Sequence, residues 1–433
     1  MILALGIVGI IGASSLLFAS SCKDDNGVEK SVIDYDANKP VQVGLVYPDS
    51  GKFLEKVMIT GDNFGTDPKK IRVWFNGKKA AVVGSTGSRM YVLAPRLPGD
   101  TCVISVAIGK DSVVYDKNFY YKSSVTVTTI AGNGSRASYR DGDLTQSIVA
   151  PRFLCVDKDD NVFMINRVPD MYHVARIDEK KNELITVARN VIANVPAADP
   201  TTGVISFPTE TTIGSYYSLD PKEFWGARIR EMKWQPGLNP TNGWKHSMVV
   251  NPTDGSIYTR YYEGHIVKIN PRTYEAEVVY RTEQGDSFGL SFNPLQPNIL
   301  FLSFLGNAGV NANSICSIDV TNPATTFKKL SGSTGGGHRD GKLEVAQFRS
   351  PEQIFCDADG NMYVADAGNH CIRRINSEGL VETVLGMPGT AGWRDGGKEE
   401  ALFNSPSGIG IASDGSVYVA DFGNNRVRKL SIN

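Results

Sequence analysis

The sequence has no G-x-S-x-G nucleophile elbow and no H-E-x-x-H pair, so the two commonest short hydrolase signatures are missing. It has no C-x-x-C pair. Its five histidines fall in separate loops, with no histidine partners at ligand spacing, so no metal site is expected. Cysteine is scarce at six residues; with Cys22 set aside, the odd remainder Cys102, Cys155, Cys316, Cys356 and Cys371 argues against a disulfide framework. Charge of one sign is also missing. Forty-five basic and 46 acidic residues leave a formal net charge of −1, which gives nucleic acid no electrostatic footprint. Long apolar runs are absent beyond the first twenty residues.

Turn residues are abundant instead, with 44 glycines in 433 residues, and one stretch occurs twice. Phe348 to Ile375 reads FRSPEQIFCDADGNMYVADAGNHCIRRI, and Phe403 to Leu430 reads FNSPSGIGIASDGSVYVADFGNNRVRKL. Pro351 matches Pro406, Asp359-Gly360 matches Asp414-Gly415, and Tyr363 to Asp366 matches Tyr418 to Asp421, at a constant offset of 55 residues. A fixed period of this size marks a repeat architecture. Each copy gives an apolar run, an Asp-Gly turn that supplies the positive φ of a tight hairpin, a second run (MYVAD or VYVAD), a second turn and a third run. LVETVLG adds a fourth strand to the first copy. Four antiparallel strands over about fifty residues make one propeller blade.

The shared pattern of proline, Asp-Gly, Y-V-A-D, asparagine and I-R-x-I resembles the NHL repeat. That resemblance implies a β-propeller over residues 124–433. Weaker copies run from Pro151 to Ile177, His246 to Ile269 and Ser291 to Val320. Turns at 159, 254, 359 and 414 lie 95, 105 and 55 residues apart. Two blades per hundred residues then gives six, with one hidden between 190 and 245, where Thr211 to Trp234 is the candidate. Five blades follow if that stretch forms none. The last copy stops after its third strand. Its missing fourth is expected at Val125 to Gly132, closing the ring and removing open edges. Asp366 and Asp421 sit at a position set by the repeat, and are expected to hold the following turn through Asx-type contacts rather than to form a catalytic ring.

Val41 onward reads as short strands with a turn every 8 to 15 residues. Ile59-Thr60-Gly61-Asp62-Asn63-Phe64-Gly65, Val73…Phe75-Asn76-Gly77 and Val92…Ala94-Pro95 resemble the IPT/TIG immunoglobulin-like domain, over residues 40–123. The resemblance implies a β-sandwich, usually a spacer. Upstream, Ile2 to Ala19 is apolar and Ala19-Ser20-Ser21-Cys22 resembles a lipobox. Residues 1–21 are then a lipoprotein signal peptide, Cys22 is the lipidated residue, and residues 22–39 are a tether. Lys23-Asp24-Asp25 resembles the Bacteroides-type signal for display on the outer face of the outer membrane. The expected class is all-β: an Ig-like sandwich followed by a six-bladed NHL-type propeller.

One repeated element is free of the repeat's own pattern: an aromatic-Arg pair before Asp-Gly, at Tyr139-Arg140, His338-Arg339 and Trp393-Arg394, in the loop entering each innermost strand. A flat ring beside a guanidinium suits sugar rings or acidic groups. These six residues are the expected ligand site, around the channel mouth. No catalytic residue, metal or cofactor is expected. The expected function is capture of an extracellular glycan for an outer-membrane uptake system, held to the membrane by the lipid anchor alone. The alternatives are a surface protein as partner, with the propeller as a scaffold, and a propeller lyase or hydrolase.

Overall fold

The computed structural model describes residues 32–95, 101–122, 125–168, 171–235, 237 and 239–432. Cys22 and Lys23-Asp24-Asp25 lie outside the described residues. None of the described helices is long and apolar enough to cross a membrane. The chain divides into two compact units between residues 122 and 123.

The first unit is a β-sandwich. One layer holds Gln42–Tyr47, Lys56–Asp62 and Arg89–Leu93, and the other holds Ile71–Phe75, Thr101–Ile108 and Asp111–Tyr121. Lys78–Ser85 belongs to both: its first residues pair with Ile71–Phe75 and its last with Arg89–Leu93, across a register shift between Val82 and Gly84. Alternation puts Val57, Ile59, Val73, Phe75, Val92, Ile104, Val106 and Phe119 in one buried core. The end of the expected tether is not free chain. The Ile33 N–H donates to Thr66 Oγ1 at 3.1 Å, the Asp36 N–H to Asn63 Oδ1 at 2.8 Å, and Tyr35 packs on the core.

The second unit is a six-bladed propeller. Blade 1 is Pro151–Val156, Val162–Val168, Met171–Asp178 and Glu183–Arg189, from axis to rim. Blade 2 is Ala197–Ala198, Ile205–Pro208, Ser215–Leu219 and Ala227–Glu231. Thr211 to Trp234 therefore supplies only the two outer strands of the hidden blade. Its inner strands lie earlier, and the innermost is cut to two residues, too short for a periodicity to be read. Blades 3 and 4 begin at Lys245–Val250 and Gly289–Asn293. Blade 5 is Pro351–Cys356, Met362–Asp366, Cys371–Ile375 and Leu380–Leu385. Blade 6 is Pro406–Ile411, Val417–Asp421 and Arg426–Ile432, completed by Val125–Ala131 from the start of the unit. That strand pairs antiparallel with Arg426–Ile432, with Val127 opposite Leu430 and Ala131 opposite Val427. The five described cysteines are buried.

The repeated Asp and Arg form a buried cluster in blades 5 and 6. Asp366 Oδ1 accepts from the Arg349 N–H at 2.8 Å, and Oδ2 from Asn369 Nδ2 at 2.8 Å and Arg373 Nη1 at 2.9 Å. Arg373 also donates to Asp340 and to the Arg339 and Gln347 carbonyls. Asp421, Asn424, Arg428 and Asp395 repeat every contact. The aspartates are structural, as expected, but the device is not a local Asx turn. The carboxylate bonds the backbone of the loop ahead of its own blade, and the guanidinium ties that loop to the rim. Burial pushes both carboxyls up to about 6, against the Asn, N–H and Arg contacts that hold them down.

Candidate functional site

The six expected site residues are not at the axis. Each loop carrying them runs down the outer edge of its own blade and pairs with the outermost strand: Gly142-Asp143 with Leu184 and Glu183, Gly341-Lys342 with Val381 and Leu380, Gly396-Gly397 with Val127 and Thr126. The aromatic partner of each pair bonds a threonine of that strand. Tyr139 Oη meets Thr186 Oγ1 at 3.0 Å, His338 Nε2 meets Thr383 Oγ1 at 2.9 Å, and Trp393 Nε1 donates to Thr129 Oγ1 at 3.1 Å. Arg140, Arg339 and Arg394 close a short hairpin through backbone bridges to Ile148, Gln347 and Leu402. The Trp393 face is taken by Arg426, whose Cζ lies 3.8 Å from the ring centroid. The three pairs stand at the rim of separate blades and make no common patch around the axis. The reason is the extra edge strand: once its glycines pair with the rim, the residues before it are held there too.

In the three blades whose innermost strand begins on a proline, the residue that follows it lines the axis. In blade 1 that is Arg152, in blade 5 Glu352, and in blade 6 Ser407. Arg152 Nε and Nη2 each lie 3.2 Å from Glu352 carboxylate oxygens. The pair joins blades 1 and 5 past blade 6, and the sequence of blade 6 permits this. Ser407 is small, and its Oγ donates to the Arg152 carbonyl at 2.6 Å. Gly408 has no side chain, and a Cβ there would stand 2.7 Å from Phe153 Cα. The strands of blades 1 and 6 therefore approach to backbone contact. One level deeper, Gln353 spans the gap. Its Oε1 accepts from the Leu154 N–H at 3.2 Å and the Ile409 N–H at 3.3 Å, and its Nε2 donates to the Leu154 carbonyl at 2.6 Å. Phe153 and Phe288, with centroids 5.1 Å apart, pack beside it.

Above this floor, charged groups ring the axis. Arg167 binds both oxygens of Glu210 at 3.0 Å and Asn194 at 2.8 Å, joining blades 1 and 2. His246 of blade 3 is buried, packs on Phe288 with centroids 4.7 Å apart and the rings tilted by 43°, and accepts the Ser287 N–H at its Nδ1 at 3.4 Å. Nε2 then carries the proton and faces Asp286 at 3.4 Å. Burial, with Arg260, Arg167 and Arg152 nearby, holds His246 well below its ordinary value, so it is neutral at pH 7. Burial raises the Glu352 carboxyl, against the pull of Arg152. Arg152 lies over Phe422 at 5.0 Å and Phe288 at 5.3 Å from the ring centroids. The result is an axial cluster with two guanidinium-carboxylate pairs, a third carboxylate, a neutral imidazole and aromatic rings. It can accept and donate hydrogen bonds to a polar, uncharged solute and cover its apolar face.

Arg152, Arg167, Glu210, His246, Asp286 and Glu352 were not singled out by the sequence. A signal existed within the repeat. At the position after the proline the two best copies differ, Glu352 against Ser407, while everything around them agrees. Positions that recur hold the blade; an axis-facing position that varies is free to serve a ligand. Arg167 and Glu210 had no such signal, because blades 1 and 2 align too poorly.

A family model described as the IPT/TIG domain matches residues 42–121, and one described as the NHL repeat matches residues 403–430. A protein of unknown function from Bacteroides thetaiotaomicron VPI-5482 has a solved structure with a TM-score of 0.81 and 25% identity, covering 93% of this chain and 100% of that one. An auxiliary nutrient binding protein of the same organism shares the fold at a TM-score of 0.60 and 22% identity, over 92% of this chain and 99% of that one. A stretch of 97 residues is 30% identical to the Arabidopsis thaliana protein SUPPRESSOR OF QUENCHING 1, chloroplastic, and spans 22% of this chain but 9% of that protein. Taken with the sheet topology, the two matches identify the chain as an IPT/TIG domain followed by a six-bladed NHL-repeat β-propeller.

Proposed function

We propose that the propeller binds a neutral saccharide at its axial mouth, without chemical change, and that the protein does so outside the cell for an outer-membrane uptake system. The observation that carries the reading is the part-buried Arg152–Glu352 pair, with Arg152 over the Phe422 ring and the Gln353 contacts beside it. A fixed guanidinium and carboxylate offer donors and acceptors side by side, as vicinal hydroxyls require, and the ring covers the C–H face of a sugar. Both Glu352 oxygens are held by Arg152, which suits recognition better than proton transfer. The fold shared with an auxiliary nutrient binding protein supports the same reading. The address rests on the sequence: Ala19-Ser20-Ser21-Cys22 as lipobox and Lys23-Asp24-Asp25 as display signal. Replacing Cys22 by Ala is expected to move the protein from the membrane fraction to the soluble fraction; retention in the membrane would remove the anchor.

The binding test uses the chain from residue 32 onward, on a glycan array and then by titration calorimetry with the best array ligand. Glu352→Gln and Phe422→Ala are expected to weaken binding at least about tenfold, the size of a hot-spot truncation of ~1.4 kcal/mol or more. Both variants should keep the wild-type melting temperature within a few degrees. An array without any saccharide signal, or unchanged affinity in both variants, would overturn the reading, and capture of a surface protein at the same mouth would replace it.

A further inference from the structure

A second concave site lies away from the axis, between blades 2 and 3. It encloses about 470 Å³, within the roughly 300–1,000 Å³ of small-molecule pockets. Its blade 2 wall has serines where an inter-blade contact would take aliphatic side chains: Ser206 and Ser218 are direct cross-strand partners, and both line the cleft. Two hydroxyls in place of two methyl-bearing side chains leave the space open and polar. Tyr216 stands beside them, 2% exposed, and its hydroxyl has no hydrogen-bond partner among the described residues. Arg230 donates through Nε to Ser218 Oγ at 2.8 Å and has no carboxylate partner among the described residues, so its two Nη groups remain available.

The opposite wall carries Tyr274, and the Arg230 Cζ lies 5.8 Å from its ring centroid. Tyr274 has a φ of 62°, a conformation an aromatic residue rarely adopts. Its backbone is pinned there on both sides: its N–H donates to the Asn270 carbonyl at 2.8 Å, and its carbonyl accepts from the Lys233 N–H at 2.7 Å. Strain of this kind persists where surrounding structure fixes it, and it concentrates at ligand sites. Three carboxylates border the cleft, each already holding its own turn. Asp199 accepts the Thr201 and Thr202 N–H groups, Asp220 the Lys222 N–H, and Asp254 the Ser256 N–H with Lys268 alongside. Carboxylates on the rim oppose an anionic ligand, and the guanidinium opposes a cationic one. A neutral ring with several hydroxyls satisfies both, accepting from Arg230 and Tyr216 and donating to the remaining carboxylate oxygens.

We infer that this cleft is a second binding site, for a neutral hexose unit, with Tyr216 and Arg230 as its polar contacts and Tyr274 as its flat wall. It stands on residues that the axial mouth does not share, so either site can fail without the other. The test is ligand-detected saturation-transfer NMR on the chain from residue 32 onward, with D-glucose, D-galactose and D-mannose as probes. At least one hexose is expected to show transfer in Phe422→Ala, in which the axial site is weakened, and that transfer is expected to fall at least fivefold when Arg230→Ala or Tyr216→Phe is added to it. Tyr216→Phe removes one oxygen atom only, and guards against loss of folding as the cause. Absence of transfer for all three sugars, loss of transfer in Phe422→Ala, or transfer unchanged in both cleft variants would overturn the inference.

Discussion

Deleting residues 125–131 is expected to abolish the cooperative melting of the propeller while the IPT/TIG unit keeps its own transition. This strand is the outermost strand of blade 6, although it precedes blade 1 in the chain. Val127 is fully buried in the cluster with Leu430, Val419 and Phe403, and Ala131 is buried in the cluster with Val427, Leu154 and Met164. One strand therefore serves the core within blade 6 and the core between blades 6 and 1. Removing it uncovers Val427 and Leu430, breaks the ladder along Arg426–Ile432 and leaves a free edge where the ring had none. It also removes Thr129, whose N–H donates to Asp395 Oδ2 at 3.0 Å and whose hydroxyl donates to Oδ1 at 3.1 Å, so the Arg428 cluster is loosened at the same time. At roughly 1.5–3 kcal/mol per fully buried aliphatic side chain, the loss approaches the roughly 5–15 kcal/mol by which domains are stable. Circular dichroism melting with hydrogen exchange on the two units is the measurement. A propeller transition at the wild-type temperature would show that ring closure contributes little.

The second large effect belongs to the buried guanidinium. Arg373→Met is expected to cost about 3–5 kcal/mol, the range for removing one partner of a buried ion pair. Arg373 is fully buried, and its five donors meet Asp366, Asp340 and two carbonyls. Methionine fills much of the volume and satisfies none of them. Asp366, also fully buried, is left with the Arg349 N–H and Asn369 against a full desolvation cost. The pH dependence separates this cause from simple loss of packing. Burial already raises the Asp366 carboxyl to about 6 in the folded state, above its unfolded value of about 3.9. A raised folded value contributes stability below the unfolded value and loses it as pH rises through the folded one. Without Arg373 the carboxyl rises further, so the deficit of the variant should be largest near pH 8 and smaller near pH 5. Urea midpoints at both pH values read this directly. Equal deficits would assign the loss to packing. Arg428→Met should behave in the same way, since Asp421 and Asp395 repeat the geometry.

What the sequence determined by itself is the part that recurs. The proline, the Asp-Gly turn, the Y-V-A-D strand and the Arg of I-R-x-I each answer a local demand of one blade, so two good copies were enough to read the architecture and the closure by Val125 to Gly132, while the count of six needed the weaker copies and left five as the alternative. The Asp366 and Asp421 roles followed from the same logic, although their reach to the preceding loop did not, because the Arg349 and Asp340 partners belong to another turn. Tertiary structure alone decided where the candidate site residues lie. Tyr139, His338 and Trp393 look free in the sequence, yet each is fixed to a rim threonine by an edge strand only two residues long, which no periodicity can show. Arg152 and Glu352 are 200 residues apart and meet because Ser407 and Gly408 narrow the blade between them. The cleft beside Tyr216 exists because two serines pair across strands in the one blade that departs most from the repeat. Blade-forming contacts are local in sequence and therefore legible; contacts across the axis and between blades depend on how the ring closes, and no segment carries that by itself.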